Sequence, residues 1–249
     1  MEIFYAFCRV VDDLADEPGL ATVERRSGLD HWRALVNGTV AEPRAGIESE
    51  FTDLRLRRDL NRNDLLAIIA GMEMDLAPQR FATAGELRHY CYHVASAVGL
   101  VSVSIFGGVD PGSRVYAEQL GYALQWTNIL RDVGDDAGEG RLFLPLEDLR
   151  RFGLTEEAVL SRHPDPAKFG RLMKHETAVA RAHYREALAA FAALPKEDQL
   201  ALRSAELMRR IYTGILDAME RDGYRVFDTR YRPGKVTKLC EFLRAKYIG

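Results

Sequence analysis

The chain is predicted to be all-α, and three observations predict it. Apolar side chains recur at three- and four-residue spacing in long stretches, strand-like alternation is almost absent, and glycine and proline gather between the stretches. In order along the chain, Phe4 to Leu14 is helical and stops ahead of Pro18-Gly19. A second helix carries Arg25, Arg26 and Trp32 as surface and packing features, before a break from Gly38 to Pro43. Asp64 to Leu76 ends before Pro78, and Leu87 to Phe106 ends at Gly107-Gly108. Asp110-Pro111 introduces the next helix, which starts near Gly112 to Arg114 and runs through Val133 toward the break from Gly138 to Pro145. After Gly153 and Pro164 to Pro166 comes Phe169 to Leu194, and Pro195 separates it from Leu200 to Asp222. The breaks are short loops rather than a linker, so a single domain over 1–249 is expected. No internal repeat, low-complexity segment or glycine-rich phosphate loop is found; Gly107-Gly108 lacks the lysine and the spacing of one.

Composition excludes several function classes. Lys and Arg number 34 against 37 Asp and Glu, a net charge of -3, which gives no basic field for nucleic acid. Cys8, Cys91 and Cys240 are odd in number, widely spaced and set among apolar residues, as expected of reduced thiols in a cytoplasmic protein. Met1 leads straight into helical pattern with no export signal. The longest uncharged run, Val94 to Val109, has 16 residues and carries serines and glycines, so it reads as a buried helix rather than a span. Lys235, Lys238, Arg244 and Lys246 interleave with Leu239, Phe242 and Leu243, which reads first as a solvated helix end and second as a membrane-surface contact.

The chemistry is carried by two acidic clusters over a hundred residues apart. Asp12 and Asp16 share one helix face, with Asp13 between them; Asn128, Asp132 and Asp136 form a second row, with Asp135 beside it. An isolated Asp-x-x-x-Asp is usually a solvated helix end. Two rows in otherwise apolar helices are a different matter, because carboxylates set in an apolar wall are costly unless ions balance them. Hard oxygen ligands suit Mg2+, which retains positions for phosphate oxygens. Arg9 and Arg131 stand beside the rows and can receive the diphosphate oxygens that the metal leaves free. The pattern points to a diphosphate ester with a greasy remainder, in a central apolar cavity capped at one end by metals.

Other features carry bland readings. Tyr90 to Gly99 sets phenols beside Ala95, Ser96, Ala97 and Gly99, which serve close helix packing or leave room for an apolar tail. Asp75 is as well read as a structural acceptor as a site residue, and His93 sits among helix-packing residues, so no zinc site is expected there.

Phe4-Tyr5-Ala6-Phe7-Cys8-Arg9-Val10-Val11-Asp12-Asp13 resembles the first signature of the squalene/phytoene synthase family. Gln125-Trp126-Thr127-Asn128-Ile129-Leu130-Arg131-Asp132-Val133-Gly134-Asp135-Asp136, followed by Gly140-Arg141-Leu142-Phe143-Leu144-Pro145, resembles the second. The likeness extends through Tyr90-Cys91-Tyr92-His93-Val94-Ala95 to Tyr212, Gly223-Tyr224-Arg225-Val226-Phe227 and Arg230. It implies the all-α isoprenoid synthase bundle and Mg2+-dependent head-to-head coupling of two prenyl diphosphates. By the same resemblance Asp12, Asp16, Asn128, Asp132 and Asp136 would hold metal, with Asp13 and Asp135 as supporting charges. Arg9, Arg131, Tyr212 and Arg230 would contact diphosphate, and Tyr5, Tyr90 and Gln125 would line the reaction zone. Mn2+ is an alternative ion, and NADPH enters only with a reductive step to squalene. The family carries roughly one further helix upstream, so the resemblance implies a prenyl synthase domain lacking that helix.

The run from Val94 to Gly99 followed by Ile105-Phe106-Gly107 looks more like bacterial presqualene diphosphate or squalene synthases than phytoene synthases. The expected reaction is therefore coupling of two farnesyl diphosphates, with geranylgeranyl diphosphate and phytoene as the alternative. A non-catalytic assembly factor of the same fold is the alternative of another class; retention of both acidic rows stands against it. The apolar product implies a cytoplasmic protein in peripheral contact with the inner face of the membrane. The sequence does not fix the oligomeric state.

Overall fold

The computed structural model describes residues 1–16 and 19–232; the side chain of Asp16, Cys240 and the basic stretch with Lys235, Lys238, Arg244 and Lys246 lie outside the described residues. Among the described residues there are helices, turns and no strand. The helices are α1 (Glu2–Asp16), α2 (Thr22–Asn37), α3 (Ile47–Arg57), α4 (Arg62–Asp75), α5 (Ala84–Cys91), a π-helical turn (Tyr92–Ser96), α6 (Ala97–Phe106), α7 (Pro111–Gly138), α8 (Leu146–Arg151), α9 (Glu156–Leu160), α10 (Pro166–Ala193), α11 (Lys196–Ala201) and α12 (Arg203–Arg221). Pro111 and Pro166 occupy first helical positions, where the missing N–H costs nothing.

The chain forms two compact units. The first comprises Met1–Gln79, Gly85–Tyr122 and Glu186–Leu202; the second comprises Arg80–Ala84, Ala123–Arg185 and the described part of Arg203–Gly249. α7 and α10 contribute to both.

In the first unit α1 buries a narrow stripe, Phe4, Phe7, Val11 and Ala15, against Leu29, Trp32, Phe51, Leu65, Ile68 and Ile69. Phe7 stacks on Phe51 with centroids 4.3 Å apart, and Trp32 meets both rings edge-on at 5.3 and 5.6 Å. Each such aromatic pair contributes roughly 0.5–1.5 kcal/mol beyond the area it buries. Ala84–Phe106 has the length and apolarity of a membrane-crossing helix, yet Leu87, Cys91, Ala97, Leu100 and Val101 are in the core of this unit. Ser96 donates from Oγ to the Glu118 carbonyl at 2.8 Å, and a Cβ on Gly121 would run into the Ser96 backbone. The small residues at 95–99 thus serve the close packing of the π-helical turn and α6 on α7.

In the second unit the end of α7 buries Trp126, Thr127, Leu130 and Val133, α10 buries Leu172, Met173, Ala180 and Tyr184, and α12 buries Ile215, Leu216 and Met219. Two buried polar contacts join α7 to α10: Thr127 Oγ1 lies 2.9 Å from the Tyr184 hydroxyl, and Trp126 Nε1 donates to Glu176 Oε2 at 2.9 Å. Arg181 of α10 holds Asp217 and Glu220 of α12. A Cβ on Gly134 would collide with the Val226 carbonyl oxygen, so the 226–227 backbone rests directly on α7.

Replacing Gly121 by Ala is expected to lower stability by about 1–3 kcal/mol through overpacking against backbone that cannot yield. Gly170→Ala, on α10 with open space around it, is expected to be neutral or to raise stability by up to about 1 kcal/mol. Thermal unfolding of both variants checks the pair, and a Gly121→Ala protein melting with the wild type would contradict the packing described.

Candidate active site

Asp12 and Asp13 stand on the flank of α1, not within its buried stripe. Tyr5, Cys8, Arg9 and Asp12 line a cavity of about 200 Å3, walled otherwise by Ile68 and Met72 of α4, Val94 of the π-helical turn and Val98 of α6. The apolar wall expected behind the acid is present. Its carboxylates, however, are not buried in that wall: the side chains of Asp12 and Asp13 are 48% and 50% exposed. The reason is angular, because the stripe Phe4-Phe7-Val11-Ala15 occupies one side of the helix and Asp12 lies about 100° from Val11. Arg9 sits 2.9 Å from Asp13 and 3.6 Å from Asp12. Burial, with Asp12 adding to it, pushes the Cys8 thiol up to about 12, which keeps it protonated and inert.

Tyr90 is buried and donates from its hydroxyl to Asp75 Oδ1 at 3.0 Å, so Asp75 is the acceptor that positions that phenol. His93 Nδ1 is engaged 2.8 Å from the His89 carbonyl oxygen.

The second row is built by the last turns of α7. Asn128 Oδ1 is buried with no hydrogen-bond partner, while its Nδ2 reaches Gln125 Oε1 at only 3.4 Å. A buried amide oxygen without a donor costs roughly 1–3 kcal/mol, a cost that a bound cation removes. One turn on, Asp132 takes both arms of Arg131, Nε to Oδ1 at 2.7 Å and Nη2 to Oδ2 at 2.5 Å. Tyr212 of α12 hydrogen-bonds the same Arg131. Asp136 is buried and accepts from Arg141 Nε and Nη2 at 3.1 and 3.0 Å. Burial pushes its carboxyl up to about 6, Asp132 and Glu139 add to the rise, and Arg141 opposes it. Arg230 lies 3.7 Å from Asp135, both well exposed, so this pair contributes little by itself.

Arg131, Asp132, Asp135, Asp136 and Arg230 line one pocket of about 610 Å3 together with Glu139, Arg141, Tyr231 and Arg232, whereas Asn128, Gln125 and Tyr212 are not among its lining residues. Acids and guanidiniums in one concavity can bind a divalent cation and a polyanion together. Arg141, Glu139, Tyr231 and Arg232 were not anticipated. Arg141 had one signal, its place just past the helix end, where its N–H returns to the Asp136 carbonyl at 2.8 Å; Tyr231 and Arg232 reach the pocket through the contact of 226–227 with Gly134, which spacing does not reveal. Asp148, His175 and Glu176 form a further cluster, assembled from α8 and two adjoining positions of α10.

Comparison with known proteins identifies the family and the fold. The squalene/phytoene synthase family description matches residues 2–238. A 15-cis-phytoene synthase of Synechocystis sp. is 38% identical over 240 residues, covering 91% of this chain and 69% of that protein. A presqualene diphosphate synthase of Zymomonas mobilis is 35% identical over 248 residues, covering 99% and 83%. Among solved structures, squalene synthase HpnC from Alicyclobacillus acidocaldarius superposes with a TM-score of 0.77 at 29% identity, covering 89% of this chain and 82% of that one. A dehydrosqualene synthase gives 0.77 at 26%, covering 98% and 86%. On the match across nearly its whole length, the all-α fold and the two acidic signatures, the chain belongs to the squalene/phytoene synthase family of prenyltransferases.

Proposed function

We propose that this prenyltransferase condenses two farnesyl diphosphates head to head into presqualene diphosphate, with Mg2+ as the divalent ion. The observation that carries the reading is the interleaving of arginines and acids in the pocket at the end of α7, with the unpartnered Asn128 oxygen on the same helix. The resemblance would have Asn128, Asp132 and Asp136 of α7 and Asp12 and Asp16 of α1 hold Mg2+, with Asp13 and Asp135 adding negative charge beside the respective rows. When bound, Mg2+ would offset the charge that builds on a departing diphosphate.

The chain's own part is to grip and to shield. Arg131, Arg141 and Arg230 would receive diphosphate oxygens, with Tyr212 steadying Arg131. The C1–O bond of one substrate breaks, and the pair of electrons leaves with the diphosphate. The double bond of the second substrate attacks the allylic cation, and loss of a proton closes the cyclopropane of the product. Ile68, Met72, Val94 and Val98 present hydrocarbon rather than water beside Tyr5 and Asp12, a setting that would protect a carbocation from quenching; the resemblance would give Tyr90 and Gln125 roles in the same reaction.

The farnesyl assignment is supported by the presqualene diphosphate synthase relative and by the squalene-type structural neighbours. The 38% identity to a phytoene synthase favours a second reading with geranylgeranyl diphosphate. Incubation with each diphosphate and Mg2+, followed by identification of the lipid, separates them: a C30 product is expected, and a C40 product without C30 overturns the assignment.

Asp132→Asn is expected to lower kcat on the order of a hundredfold or more while thermal unfolding of the metal-free protein changes little. Loss of turnover tracking loss of fold would assign Asp132 a structural role instead.

A further inference from the structure

The second unit holds a polar cluster that the condensation leaves unused. Asp148 of α8 and the adjoining His175 and Glu176 of α10 each offer one ligating atom, and the three atoms lie within 4.8 Å of one another. Asp148 and Glu176 are 6% and 1% exposed, whereas the His175 side chain keeps 32% of its surface open. Glu176 Oε2 is occupied by the Trp126 indole N–H, but Glu176 Oε1 is buried with no hydrogen-bond partner. The neighbouring Arg151 stands 3.9 Å from Asp148 on a largely exposed side chain, which is too remote to neutralise two buried acids.

We propose that Asp148, His175 and Glu176 form a site for a transition-type divalent ion, Zn2+ foremost, distinct from the diphosphate pocket. Two buried carboxyls side by side tolerate full charge only with a cation between them. An imidazole in the donor set selects zinc and its neighbours over magnesium. Zinc bonds of about 2.0–2.2 Å set tetrahedral ligands roughly 3.4 Å apart, and His175 Nε2 lies 3.4 Å from Asp148 Oδ1. The exposed flank of His175 gives the ion an entry path and leaves the fourth position to water.

Such an ion would act as a fastener. It would join α8 to α10 and, through Glu176 and the indole of Trp126, to α7 just before Asn128. The competing way to hold the two acids is a proton shared between them, and binding measurements tell the two apart.

The test uses the full chain, stripped with chelator, dialysed against Zn2+ in excess Mg2+, then assayed for bound zinc and for melting temperature. Wild type is expected to retain about one zinc more than His175→Gln, and Zn2+ is expected to raise its melting temperature by several degrees with no such rise in the variant. Asp132→Asn and His93→Gln are expected to keep the extra zinc, which locates it away from the α7 pocket and from the His89–His93 pair. Equal zinc in wild type and His175→Gln, or no retained zinc in either, overturns the proposal. If His175→Gln does not fold, Co2+ added to His93→Gln decides: a visible band that Zn2+ abolishes and Mg2+ does not supports the site, and absence of a band refutes it. Because zinc content and melting are read without substrate, failure here leaves the prenyl transfer reading untouched.

Discussion

A helix that ends in acids works against its own dipole. The carbonyl end of α7 carries a partial negative charge, and the chain places Asp132, Asp135 and Asp136 in the final turns before Gly138, with no basic residue in the last turn to balance them. The arrangement survives because cations are brought in from elsewhere: Arg131 folds onto Asp132, Arg141 turns back onto Asp136, and Arg230 approaches Asp135. Even so, Asp136 has its carboxyl raised and Asn128 has an oxygen unanswered. That residual imbalance is one that an added cation would relieve.

Much of this was legible in the sequence. The long helices are strongly periodic, so their existence needed no tertiary information, and α1, α4, α7 and α10 fall close to where the spacing puts them. The shorter α3, α8, α9 and α11 escaped notice because each offers few buried apolar positions, such as Phe51 and Leu54 in α3 or Val159 in α9, and α11 offers none. The π-helical turn at Tyr92–Ser96 also left no mark, since periodicity changes by a single residue there. Asp12 and Asp13 illustrate a subtler limit: a helix can be apolar overall and still carry its acids on a half-exposed flank, because burial is decided by angle and not by mean composition.

Of the second row, Asp132, Asp135, Asp136, Arg131 and Arg230 were read from the sequence and line one pocket. The residues that were not read, Tyr231, Arg232 and the Asp148 cluster, depend on chain reversals and on packing between helices far apart in sequence. His175 and Glu176 adjoin one another, a spacing that on a helix normally sends side chains in different directions, so only the approach of α8 makes them partners.

The close seat of the 226–227 main chain on Gly134 has a wider consequence. The segment leading to Arg230, Tyr231 and Arg232 is seated by backbone lying on backbone, so its seat depends little on the side chains at 226 and 227. Substitutions at 226 and 227 are then tolerated so long as the main chain keeps its path, whereas any side chain at 134 would push that path away from the helix.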